Sequence, residues 1–153
     1  MTIEVDDARI QVKMVRMSRS LKDLKPAMRS IGQDIVENIR LGFRDSTDPW
    51  GARWKPLAQE TIDRRRNKSD KPLVDTGVMR NSINARAAKK SVRIGLKDSQ
   101  SHKGFTHQFG GKYKGRRVPP RPFLPIRGRR ADLPDDWIED ILTALGKHID
   151  PTN

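Results

Sequence analysis

The sequence predicts an α+β fold with N-terminal helices, a small antiparallel sheet interrupted by a long basic arm, and a C-terminal helix. Three observations predict it. Apolar residues recur at steps of three and four near both ends, and two short alternating segments stand side by side between them. Residues 99–131 then carry nine Lys or Arg and no acidic residue, mixed with glycines and prolines that break helices and central strands. A length of 153 residues suits one domain that buries most of its unfolded surface without crosslinks, so residues 1–153 are read as a single unit with the arm at about 99–131.

Ile10, Met14, Met17, Leu21, Leu24, Met28, Ile31 and Ile35 lie at helical steps, which place them on one stripe. Asp6 or Asp7 is positioned to cap the start, and Pro26 divides the run into helices near 8–20 and 26–43. A strand over 9–16 is the alternative, because Ile10, Val12 and Met14 also alternate. The turn cluster 45–49 leads into Trp50, Trp54 and Leu57, apolar anchors in a chain poor in aromatics. A short charged helix follows over 59–66 and a linker over 67–72.

Thr76-Gly77 reads as a helix start capped by Asp75 or Thr76. Residues 82–88 and 91–96 alternate as the two strands of a hairpin around Lys89 and Lys90. Phe123, Leu124 and Ile126 form a brief strand or extended segment bounded by prolines, so the small sheet is expected over about 82–126. Pro134 suits the first position of a last helix, with Asp132 and Asp135 near its start and Trp137, Ile138, Ile141, Leu142, Leu145 and Ile149 as its apolar face.

Charge is the strongest functional signal. The chain carries +13 overall, residues 99–131 supply +9, and the sign reverses to −5 from residue 132 to the end. A basic arm and an acidic tail on one chain suit head-to-tail contact between identical copies as well as contact with nucleic acid. The cations of the partner-binding arm are Lys112, Lys114, Arg116, Arg117, Arg121, Arg127, Arg129 and Arg130. Three readings of that arm stay open: a protein-docking arm, a nucleic-acid arm with Tyr113, Phe105 and Phe109 available to stack on bases, and a charged loop that only aids solubility.

Chemistry is sparse. With no cysteine there is neither a disulfide nor a thiolate zinc site, and His102, His107 and His148 have no helical metal-ligand spacing. His107 lacks a neighbouring nucleophile and reads as a structural histidine bonded to backbone. Neither Gly-Lys pair has the context of a phosphate loop. No catalytic residue, metal or cofactor is therefore expected, a basic nuclease being disfavoured by the lack of a carboxylate cluster. The acidic residues among the first seven do not resemble a signal peptide, and no long apolar run suggests a membrane span.

Phe43, then Asp48-Pro49-Trp50-Gly51-Ala52-Arg53-Trp54-Lys55-Pro56-Leu57, then Thr61 and Lys71-Pro72-Leu73-Val74-Asp75-Thr76-Gly77-Val78-Met79-Arg80-Asn81-Ser82-Ile83 form an ordered set of blocks. Val92-Arg93-Ile94-Gly95, His107-Gln108-Phe109-Gly110-Gly111 and Pro120-Arg121-Pro122-Phe123-Leu124 continue it. Over roughly residues 20–145 this set resembles the phage virion-morphogenesis family of tail-completion proteins. Where that family usually has a Tyr-Ala pair before the His-Gln block, this chain has Gly104-Phe105-Thr106.

The resemblance implies a non-catalytic structural part of the virion, at the neck or upper tail, that completes tails or joins them to filled heads. It also implies a homo-oligomeric ring, with a hexamer as one candidate, that touches neck, connector and tail proteins and is assembled in the host cytoplasm. Trp50, Trp54, Asp75, Thr76, Gly77, His107, Gln108, Phe109, Gly110, Gly111, Pro122 and Phe123 are then expected to be structural-motif residues, with Thr76-Gly77 a helix start that fixes the linker to the core and Arg121-Pro122-Phe123-Leu124 the point where the arm re-enters the fold. A nucleic-acid-binding protein that uses the same arm is the alternative.

Overall fold

The computed structural model describes residues 1–4 and 23–149. In order these form β1 (Thr2–Glu4), α1 (Lys25–Asp45), α2 (Gln59–Arg64), α3 (Val78–Asn81), β2 (Ile83–Ala87), β3 (Val92–Leu96) and α4 (Asp98–Phe109). The hairpins β4 (Gly111–Tyr113) with β5 (Arg116–Val118) and β6 (Ile126–Arg127) with β7 (Arg130–Ala131) follow, and α5 (Asp135–Ile149) closes the chain. The fold is α+β, with 45% helix and 18% strand among the described residues. The helix or strand expected over 8–20, with Ile10, Met14, Met17 and Leu21 and the caps Asp6 and Asp7, lies outside the described residues.

Helix α1 starts where the sequence predicts. Asp23 Oδ1 accepts a hydrogen bond from the Lys25 N–H at 2.9 Å, and Pro26 occupies the first turn, where its missing N–H costs nothing. Met28, Ile31, Ile35, Ile39 and Phe43 are buried on one face, and Ser46 ends the helix in a left-handed conformation with its N–H on the Gly42 carbonyl. The buried face packs against β2 and β3.

β2 and β3 form the expected hairpin, paired antiparallel with Ala85 opposite Ile94 and Ile83 opposite Leu96. β1 adds to the other edge of β3, so the sheet order is β1-β3-β2 and Ile3 lies opposite Ile94. That third strand comes from the beginning of the described chain, not from residues 123–126. Helix α5 buries Trp137, Ile138, Ile141 and Leu145, and its main partner is α1 rather than the sheet.

The long irregular arm is corrected. Residues 99–131 instead contain most of α4, two short hairpins and one buried return segment. Gly104 lies inside α4 because the helix crosses β3 too closely for a side chain: a Cβ there would overlap Leu96 Cδ1. The prolines cluster at 119–125, between the hairpins, where no ladder needs their N–H. The β4–β5 turn is Lys114-Gly115 with φ of 49° and 76°, the left-handed pair that a two-residue hairpin turn favours.

The cap expected from Asp75 or Thr76 is also corrected. Both side chains are exposed, α3 is only four residues long, and Gly77 stands at its N-cap with φ 76° and no side-chain cap. The linker over 67–72 is more ordered than its composition suggests. Arg65 Nη1 donates to the carbonyls of Ser69, Lys71 and Val74, which folds the loop around one guanidinium.

Candidate functional site

The blocks around residues 48–57 and 107–124 meet in space, and polar side chains lock them together. Asp48 Oδ1 accepts from the Trp50 and Ala52 N–H groups at 3.0 and 2.8 Å, bending the loop that carries both tryptophans. Trp54 is buried; its ring lies 5.4 Å from Phe43 at 82°, and its Nε1 donates to the Pro122 carbonyl at 2.7 Å. Phe123 meets Phe43 from another side at 5.4 Å. The extended Pro122 backbone is thereby fixed to the core.

Gln108, from the buried side of α4, holds the same segment through its carboxamide. Oε1 accepts from the Phe123 and Leu124 N–H groups at 3.0 Å each, while Nε2 donates to the Leu124 carbonyl at 3.0 Å. A strand edge is thus imitated by one side chain. Phe109, Gly110 and Gly111 lead out of the helix, Gly110 with φ 77°.

Arg121 is corrected from an arm cation to a structural one. It is 5% exposed, its Nε and Nη2 donate to the carbonyls of Lys55 and Pro56 at 2.7 and 2.9 Å, and its own N–H donates to the His107 carbonyl at 2.7 Å. Burial lowers its pKa from the ordinary guanidinium value, and the Arg65 charge adds to that. The backbone bond expected of the His107 side chain is corrected too: Nδ1 is buried with no hydrogen-bond partner among the described residues. Burial, then Lys103, Arg121 and Arg65, push the imidazole pKa down to about 4.

The remaining arm cations divide into two groups. Arg127 stacks 4.3 Å over the half-buried Trp50 ring and pairs with Asp132 at 3.2 Å, and Arg116 pairs with Glu60 at 3.2 Å. Lys112, Lys114, Arg117, Arg129 and Arg130 are exposed and make no ion pair among the described residues. In the hairpin register Lys112 faces Arg117 and Arg127 faces Arg130, like charges set directly opposite each other. Phe105 and Phe109 are exposed at 57% and 40% and touch each other with ring centroids 4.9 Å apart. Tyr113 is half exposed beside Lys114.

The partners of Arg121, Gln108 and Trp54 lie about 15 to 70 residues away in sequence, so no local spacing announces them. Lys55 and Glu60, which line and pair with the basic hairpin, escaped the sequence reading for the same reason. No group of His, Asp or Glu among the described residues is arranged to hold a metal ion.

The profile of the phage virion morphogenesis family matches residues 5–144. The chain belongs to that family. No curated protein and no solved structure matches. The match covers the aromatic lock, the three hairpins and most of α5 and leaves out β1, so membership is carried by most of the described fold rather than by one motif. It supports a structural role in phage morphogenesis and association with the virion. No helix among the described residues is long and apolar enough to cross a membrane.

Proposed function

We propose that the protein completes the phage tail or joins it to the head at the neck, assembled as a ring of identical copies in contact with neck, connector and tail proteins. The observation that carries this reading is the pairing of family membership with a rigidly anchored cationic surface. The lock of Trp54, Gln108 and Arg121 fixes the bases of two hairpins whose exposed sides carry Lys112, Lys114, Arg117, Arg129 and Arg130, none of them in an ion pair among the described residues. Such a preorganised surface loses little entropy on docking, as a permanent joint requires. No cofactor enters this role.

A nucleic-acid surface is the second reading, favoured by the exposed Tyr113 ring between Lys112 and Lys114. Reversal of Lys112, Lys114, Arg129 and Arg130 to Glu separates the two. In a phage lacking the gene, the reversed variant is expected to leave heads and tails unjoined, while wild-type protein binds duplex DNA weakly and with a steep loss on raising salt. Normal infectious particles from the reversed variant, together with lost tight DNA binding, would replace the first reading by the second.

A further inference from the structure

An open groove of about 1090 Å³ runs between the end of α4, the β4–β5 hairpin and the Lys55 loop. Its apolar wall includes Phe109, Val118 and Pro120, its charged groups are Lys55, Lys112 and Arg117, and no acidic residue lines it. Lys112 and Arg117 sit directly opposite each other across the hairpin, which destabilises the isolated chain and rewards any anion placed between them. The groove therefore combines apolar area with an unmet demand for negative charge.

The same chain carries the matching surface. Along α5, Asp136, Glu139 and Asp140 are exposed at i, i+3 and i+4 on the side away from the buried Trp137, Ile138, Ile141 and Leu145. These carboxylates make no ion pair among the described residues, and none of them reaches the groove cations of its own molecule. A groove and a helix face of opposite sign at different places on one chain form a heterologous contact, the kind that closes rings when the rotation allows.

We infer that this groove receives the acidic face of α5 from a second copy of the chain. The inference rests on the ring reading and supplies its interface. Docking sets the carboxylate row over Lys112 and Arg117 and covers Phe109 and Val118. An acidic partner protein and DNA are the other occupants, and the test separates them.

Two variants reverse the two sides, Lys112→Glu with Arg117→Glu in the groove and Glu139→Lys with Asp140→Lys on the helix. A third combines all four changes and keeps the net charge of the wild type. Sedimentation of the purified full chain is expected to show each two-site variant weakened at least about 100-fold in self-association. The four-site variant regains assembly, as does an equimolar mixture of the two reversed chains, with circular dichroism confirming that all are folded. A wild-type chain that stays monomeric, or reversals that leave the assembled mass unchanged, would overturn the inference. Lost binding to DNA or to a purified acidic neck protein with self-association intact would also overturn it, in favour of that occupant. Complementation reports separately: an intact interface in a phage whose heads and tails join without the protein contradicts the proposed function and leaves the interface standing.

Discussion

Replacing the Gln108 carboxamide strands two buried backbone donors, the Phe123 and Leu124 N–H groups, while the Leu124 carbonyl keeps its bond from the Ile126 N–H. Gln108→Leu is therefore expected to cost about 3 kcal/mol or more in denaturant unfolding. An unchanged midpoint would show that water or another side chain replaces it. Trp54→Ala belongs to the same range, about 3–5 kcal/mol for a buried Trp, whereas Trp50→Ala costs less because its ring is only partly buried and stacks against the exposed Arg127.

Gly104 sets two effects against each other. Ala gains about 1 kcal/mol in helix propensity but drives a Cβ into Leu96, and overpacking costs about 1–3 kcal/mol, so Gly104→Ala is expected to destabilise. In a Leu96→Ala background the same change is expected to become neutral or stabilising, a sign reversal that a double-mutant cycle reads directly. His107 gives a pH signature. Its folded pKa of about 4 lies below the unfolded value near 6.5, so the neutral imidazole's contribution is complete above about pH 6.5 and fades as pH falls toward 4. His107→Leu should flatten the stability profile between about pH 6.5 and 4.5; an unaltered slope there would contradict the buried neutral state.

At the scale of elements, legibility followed the size of the apolar face. Helices α1 and α5 bury a continuous stripe and were readable almost to the residue; the start of α5 at Asp135 differs from the expectation by one position. The β2–β3 hairpin was readable from alternation. Helix α4 was not, because its buried positions are Gly104, Thr106 and Gln108 while Phe105 and Phe109 face outward, which inverts the usual pattern. β1 is three residues long, too short for any periodic signal. The aromatic lock was half legible: Trp54 and Phe123 announced themselves as anchors, but Arg121 read as a free cation since its carbonyl partners lie 65 and 66 positions away.

The β4–β5 hairpin carries its own prediction. Gly115 adopts φ 76° with nothing near its missing Cβ, so Gly115→Val meets backbone strain alone, about 1–2 kcal/mol. Hydrogen exchange is expected to speed up at residues 111–118 while the global unfolding midpoint stays within a few degrees. A large global loss would mean that the hairpin is part of the cooperative core.

For the whole molecule, the distribution of charge matters more than its sum. A chain at +13 repels its copies, yet the exposed cations project from the hairpins while Asp136, Glu139 and Asp140 project from α5, the arrangement through which the proposed docking would turn repulsion into directed contact. The buried lock ties the hairpins to the Phe43 core, and α5 is held separately by packing against α1. Family membership supplies the setting, and the geometry supplies the two charged surfaces on which the proposed joining rests.

The most direct measurement is electron microscopy of lysates from a phage lacking the gene, with the wild-type chain or the hairpin-reversed variant supplied in trans. The account predicts filled heads and separate tails without the protein or with the reversed variant, and joined, infectious particles with the wild type. Complete particles in the absence of the protein would contradict it.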